Sequence, residues 1–135
     1  MPVNGVGIYD PQNVFAKILR GEIPCRKQFE NEWALAFHDI APQAPIHVLV
    51  IPRGAYISMA DFTANASDAE IAGFVRAVGQ VARDLGLEAP GYRLLANVGK
   101  HSGQEVPHLH VHVFGGRDMG PMLVQAREPS PKPAR

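Results

Sequence analysis

From Pro107 to Gly116 the chain reads PHLHVHVFGG, with histidine at alternate positions and aliphatic residues between. Side chains on a β-strand point to opposite faces in turn, so this pattern specifies a strand with two unlike faces. His108, His110 and His112 share one face, and Leu109, Val111 and Val113 share the other. The aliphatic face must be covered by other apolar groups, whereas the imidazole face needs polar company. Pro107 can open such a strand without removing an interior ladder bond.

A helix suited to the aliphatic face is predicted over 68–86. Ser67 and Glu70 form a capping box, and Ile71, Phe74, Val75, Val78, Val81, Ala82 and Leu85 recur at helical spacing before Gly86. Gly73 and Gly79 each cost about 1 kcal/mol relative to alanine, so packing has to hold this helix. A shorter helix starts at Asn13, carries Val14, Phe15, Ile18 and Leu19 on one stripe, and ends near Gly21, ahead of Pro24. Strands are predicted near 26–30, 33–38, 46–51, 91–99 and 108–116, with Pro42 and Pro45 marking a tight loop and Pro52 a strand end. Five strands and two helices indicate an α+β domain with a mainly antiparallel sheet. Residues 13–123 are expected to form the domain, 1–12 a flexible lead-in, and the Pro-rich 124–135 a disordered tail.

Composition removes several function classes. Thirteen basic residues balance thirteen acidic ones without a basic run, so no nucleic-acid partner is expected. The single cysteine, Cys25, makes neither an internal disulfide nor a zinc knuckle, and reads as a small residue beside a turn. There is no signal-like n-region and h-region, and no apolar run of the roughly 20 residues that span a bilayer. A cytoplasmic protein without a membrane partner is expected.

Three uses of the histidines compete. A merely wet strand face is better served by Thr, Lys or Glu. A metal could be gripped by two of the imidazoles, with His47, His38 or His101 as a further ligand. However, three same-face residues spread over roughly 13 Å of strand, and no carboxylate or thiol cluster lies nearby in sequence. The third use is nucleophilic attack at phosphorus, for which neutral imidazole suits near pH 7. One ring nitrogen must be free and the other fixed as a donor, while neighbouring imidazoles handle protons. The bend NVGKHSGQEVP, with Gly99 and Gly103, runs directly into the strand and can turn backbone N–H groups toward an anion.

The form His-φ-His-φ-His-φ-φ, where φ is apolar, resembles the signature of the histidine triad superfamily. Gly115, Gly116 and Arg117 resemble its Hint branch of purine nucleoside phosphoramidases. FAKILRGEIP, LAFHDIAPQAPIHVLVIPR and GYRLLANVG…SGQEVPHLHVHVFGGR fall in the order of that branch, over roughly residues 14–123. The resemblance implies a five-stranded sheet that continues into a partner's sheet across a homodimer. It also implies hydrolysis of purine nucleoside 5′-monophosphates joined to an amine or similar leaving group, with no metal or other cofactor.

Carried over by position, His110 is the nucleophile and its second ring nitrogen is held by a backbone carbonyl near His108. His112 hydrogen-bonds the phosphate, and His108 and His47 orient and polarise the cluster. Asp39 accepts from the ribose hydroxyls. Val14, Phe15, Ile18, Ile23, Phe37, His38, Ile40 and Leu49 form the purine slot. Asn97, Gly103, Gln104 and the Val106 backbone line the phosphate end. Without the resemblance, Phe15, Phe37 and Leu49 read as plain core, Asp39 as a turn organiser, and His101 as a surface histidine. Two features depart from the branch. Glu105 replaces the serine of many Hint enzymes, and the ending GPMLVQAREPSPKPAR has no tryptophan, the sole one being Trp33. Leaving-group preference therefore does not carry over. A dinucleoside-polyphosphate hydrolase using the same triad, and a nucleotide-binding or scaffold protein of weak activity, remain as alternatives.

Overall fold

The computed structural model describes residues 3–124; the expected tail lies, from residue 125 on, outside the described residues. The elements in chain order are α1 (Val14–Leu19), β1 (Lys27–Glu30), β2 (Ala34–His38), β3 (Ile46–Pro52), α2 (Met59–Asn65), α3 (Asp68–Asp84), β4 (Arg93–Leu95) and β5 (Val111–Gly115). A single turn of 3₁₀ helix, Lys100–Ser102, sits in the glycine bend. The five strands form one antiparallel sheet in the order β1-β2-β3-β5-β4.

Alternation sorts the sheet into two faces. On one, Ala34, Ala36, Val48, Val50, Leu109, Val111 and Val113 pack with Phe62, Phe74, Ala77, Val78 and Val81 of the helices. On the other, Leu35, Phe37, Leu49 and Ile51 pack with Phe15 of α1, flanked by Ile18, Leu19 and Val106. The expected pressing of Leu109, Val111 and Val113 against the long helix is what the structure shows. α3 begins with the capping box, Ser67 Oγ accepting from the Glu70 N–H while Glu70 accepts from the Ser67 N–H. Gly73 has a packing reason: a Cβ there would come within 2.3 Å of the Trp33 ring.

The structure corrects the element count. There are three helices, not two, because α2 lies between β3 and α3. Ser58 caps it, and Ala66 leaves helical geometry before Ser67 restarts the chain into α3. Only Phe62 of α2 is buried, so a seven-residue helix leaves almost no periodic trace in the sequence.

β4 and β5 are also shorter than expected. Ahead of Val111 the backbone groups bond outside the ladder. The Leu109 N–H donates to the Tyr56 carbonyl at 2.7 Å, and the His108 carbonyl accepts from the His110 ring. Residues 3–12, expected as a lead-in, lie against the domain: Gly5 is buried, and its carbonyl accepts from the Ser58 hydroxyl at 2.6 Å.

Candidate active site

Two strands and one connection bring four imidazoles together. His47 comes from β3, His112 from β5, and His108 and His110 from the run into β5. Leu49 pairs with Phe37 on one side and with His112 on the other, so these three share the α1 face. His110 and His112 have ring centroids 5.0 Å apart, and His47 and His112 5.2 Å. Phe15 sets its edge against His110 at 4.9 Å, while Phe114 lies against His47 and stacks on His112.

Hydrogen-bond partners fix the protons on every ring. A carbonyl can only accept, so the 2.7 Å contact between His110 Nδ1 and the His108 carbonyl places the proton on Nδ1. The Nε2 of His110 then carries a lone pair. No buried side-chain nitrogen lacks a partner among the described residues, so this unbonded Nε2 is open to a ligand. A free nucleophilic nitrogen opposite a fixed N–H is the arrangement expected from the sequence.

His47 and His112 form a relay. The Gln43 N–H donates to His47 Nδ1 at 3.1 Å, which leaves the His47 proton on Nε2. That Nε2–H donates to His112 Nδ1 at 2.9 Å, so His112 in turn carries its proton on Nε2. The chain thus hands a donor from a backbone amide, through two rings, to the Nε2 of His112. His108 is held in the same way: its Nε2 donates to the Pro52 carbonyl at 2.9 Å, and its Nδ1 accepts from the Tyr9 hydroxyl at 2.7 Å.

Burial keeps these rings neutral. Desolvation lowers His108 and His112 to about 4, His112 being pushed further by the neighbouring His110 and His47. His110 is lowered chiefly by burial, opposed by its bond to the His108 carbonyl and by the charges of Asp39 and Glu105. His47 is lowered by burial, against the pull of Asp39. A neutral cluster at pH 7 is what an imidazole nucleophile requires.

The carboxylate absent from the sequence neighbourhood arrives through the fold. Asp39 Oδ2 lies 3.5 Å from His47 Nε2, and Asp39, His47 and His112 form the group best placed to take an ion. As placed, the two nitrogens share a proton. Two nitrogens on one tetrahedral zinc would stand roughly 3.3 Å apart, with neither protonated toward the other. His47 would have to give up the proton that its Gln43 bond assigns to Nε2. The other Asp39 oxygen accepts from the Ala41 N–H at 2.8 Å, so this carboxylate organises the turn and faces the histidines at once.

The remaining expected residues fall into three groups. Phe15, Phe37 and Leu49 are buried in the α1 cluster, Ile18 and Val106 are half-buried around it, and Ile23 is half-buried. Val14 and Ile40 are exposed, Ile40 completely. His38 does not join them. It pairs with Val48, which pairs with Val113, so its side chain lies on the α3 face and bonds Gln28 at 2.9 Å. Only its backbone can border a slot on the α1 face. Alternation with Phe37 made this legible in the sequence.

In the glycine bend, Gly103 takes the left-handed conformation (φ 77°) that closes the turn. Gln104 is buried, but its side chain is spent within the chain: Oε1 accepts from the Gly99 N–H, and Nε2 donates to the Ile57 and Val106 carbonyls. It therefore staples the bend, whose Gly99, Gly103 and Gln104 N–H groups all donate within the chain. Asn97 is half-buried, and Glu105 is exposed, as is His101. Residues that sequence reasoning missed are Tyr9, Phe114 and the backbone groups of Gln43 and Pro52. Backbone donors and acceptors carry no residue signature, and only the two aromatics could have been sought.

A family model, the HIT domain, matches residues 20–119. The chain belongs to the HIT family. It is 66% identical over 117 residues to an uncharacterised HIT-like protein of Azospirillum brasilense, covering 87% of this chain and 96% of that one. It is 39% identical over 112 residues to the purine nucleoside phosphoramidase of Escherichia coli K12, covering 83% and 93%. A HIT family hydrolase structure from Legionella pneumophila superposes with a TM-score of 0.72 at 44% identity, covering 78% of this chain and 94% of that one. Family membership, the antiparallel α+β fold and the histidine cluster together support a nucleotide hydrolase.

Proposed function

We propose that this protein is a Hint-branch enzyme that hydrolyses purine nucleoside 5′-phosphoramidates, breaking the P–N bond through a nucleotidyl intermediate on His110. The observation that carries the proposal is the His110 ring itself, with Nδ1–H fixed on the His108 carbonyl and Nε2 open. Similarity to the Escherichia coli phosphoramidase supports the substrate class.

In the first step the His110 Nε2 lone pair forms a bond to phosphorus. The P–N bond breaks and the nitrogen leaves as the amine, taking up a proton from solvent. The Nδ1–H of the phosphorylated ring stays on the His108 carbonyl, which stabilises the positive charge. The His112 Nε2–H, set by the relay from Gln43, donates to a phosphoryl oxygen as charge builds there. In the second step water attacks phosphorus, loses a proton and releases the nucleoside monophosphate, and His110 regains its lone pair. Asp39 would hold the ribose, and Phe15, Ile18, Ile23, Phe37, Leu49 and the exposed Ile40 would sandwich the base.

The test is turnover of adenosine 5′-phosphoramidate. Release of AMP that is unaffected by chelator and faster than cleavage of a diadenosine polyphosphate is expected. Faster cleavage of the polyphosphate would favour the other triad hydrolase, chelator-sensitive turnover would favour a metal enzyme, and AMP binding without turnover would leave a binding protein.

The same reading includes a homodimer built along β4. β4 is an edge strand, and beside it Tyr92, Leu94, Val75, Val78 and Gly79 line an apolar hollow of about 410 Å³. Leu94 and Val75 are 47% and 60% exposed, more than an apolar pair on one face should be without a cover. Gly79, unlike Gly73, meets nothing of its own chain except the tip of Arg83, which leaves room for a second helix. A protomer-mass species in sedimentation at micromolar concentration would refute the dimer.

A further inference from the structure

The segment ahead of α1 enters neither the sheet nor the expected domain, yet it delivers one side chain to the triad. Tyr9 sets its hydroxyl 2.7 Å from His108 Nδ1, with the two rings edge to face at 5.7 Å. The direction of the bond is determined: His108 Nε2–H is committed to the Pro52 carbonyl, so Nδ1 can only accept and the phenol donates. His108 is fully buried.

The segment is anchored on both sides of Tyr9. Upstream, Gly5 is clamped by the Ser58 hydroxyl and lies against Val98 and Gly99, at the root of the glycine bend. Downstream, the Gln12 N–H donates to Asp10 Oδ1, the Asn13 N–H donates to the Asp10 carbonyl, and Asn13 caps α1. The stretch therefore runs as a strap from the phosphate bend to the helix that carries Phe15, with Tyr9 pointing inward.

The His108 carbonyl, which fixes the tautomer of His110, lies outside the strand ladder. Its peptide is held by the Leu109 N–H on Tyr56, and its residue by the ring, which Pro52 and Tyr9 grip at opposite nitrogens. Two of these three anchors come from one connection, Pro52 to Tyr56. Tyr9 is the third, and it comes from outside the sheet.

We propose that Tyr9 is a positioning residue of the hydrolytic site: through His108 it holds the carbonyl that keeps the His110 proton on Nδ1 and its Nε2 lone pair free. The role assigned to His110 rests on the function proposed above; the contact between Tyr9 and the ring does not. Without the phenol, a sealed imidazole nitrogen loses its partner, and the ring must turn, protonate or admit water.

Tyr9→Phe keeps the edge-to-face ring contact and removes only the donor. Two readouts decide the proposal. The first needs no substrate: ¹⁵N NMR of the histidine rings at pH 7. In the unaltered protein His108 Nδ1 should resonate as a hydrogen-bonded, unprotonated nitrogen, and His110 as a single Nδ1–H tautomer. In Tyr9→Phe the His108 Nδ1 signal should move toward that of an unbonded nitrogen, and His110 should become a mixture of tautomers. The second is kinetic: kcat should fall about tenfold with KM within about twofold, the loss of one orienting hydrogen bond.

An unshifted His108 signal, or an unchanged His110 tautomer, would overturn the proposal. So would a shifted signal with full kcat, or a loss confined to KM. If the unaltered protein turned over no phosphoramidate at all, the proposed function would fail, and the NMR comparison would still decide whether Tyr9 governs the His110 tautomer.

Discussion

On the α3 side of the sheet, Val48, Val50, Leu109, Val111 and Val113 meet Phe74, Ala77, Val78 and Val81 with almost no exposed surface. On the α1 side, residues one position along the same strands carry His47, Leu49, His110 and His112, and order there comes from directed hydrogen bonds as much as from packing. The first face tolerates any apolar set of the right volume. The second depends on which nitrogen holds which proton. Because one strand serves both, stability and chemistry can be separated by substituting adjacent residues.

The sharpest way to break that comparison is a pair of neighbours. His110→Ala should lower phosphoramidate turnover by roughly a thousandfold or more while leaving the near-UV spectrum native. Leu109→Ala should do the opposite, costing about 3 kcal/mol in urea unfolding with kcat per folded molecule nearly unchanged. If Leu109→Ala abolished turnover in fully folded protein, or if His110→Ala unfolded the chain, the two faces would not be independent.

A second prediction concerns acid. His108 and His112 sit near 4 in the folded protein, held there chiefly by burial, against about 6.5 for an unfolded chain. Between those values the unfolded state binds more protons than the native one. Stability from these groups is therefore complete above about pH 6.5 and is lost as pH falls toward 4. For the fully buried His108 alone the loss is on the order of 3 kcal/mol. The urea midpoint should drop between pH 7 and pH 4.5, above the range in which the lowered Glu22, Glu30 and Glu70 titrate. A midpoint constant over that window would mean the rings are already protonated or solvated in the folded state. The same kind of depression at His110 moves the acid limb of the kcat/KM profile below the ordinary histidine range.

Much of this was legible because periodicity survives folding. The alternation in HLHVHV placed three imidazoles opposite the aliphatic core, and the stripe from Ile71 to Leu85 marked α3 as their backing. The Asn13 and Ser67 caps bound as their sequence positions suggested. What escaped had no repeating signal. α2 buries one side chain, and the bonds that set the ring protons come from the Gln43, Pro52 and His108 backbone. Asp39 and Tyr9 reach the histidines only through tertiary closure, eight and ninety-nine residues away in sequence from the partners they meet. The facing of the His38 side chain was legible too, since alternation with Phe37 places the two side chains on opposite faces.

The covalent intermediate is the step on which the proposed chemistry depends. It can be sought by mixing enzyme with an excess of adenosine 5′-phosphoramidate, quenching within milliseconds in base, where phosphoryl-histidine survives, and mapping the modified peptide by mass spectrometry. A nucleotidyl group on His110 is expected, formed in a burst before steady turnover and absent from His110→Ala. Turnover with no adduct at any quench time, or an adduct on His108, His112 or His47 instead, would contradict the assignment of His110 as the attacking group.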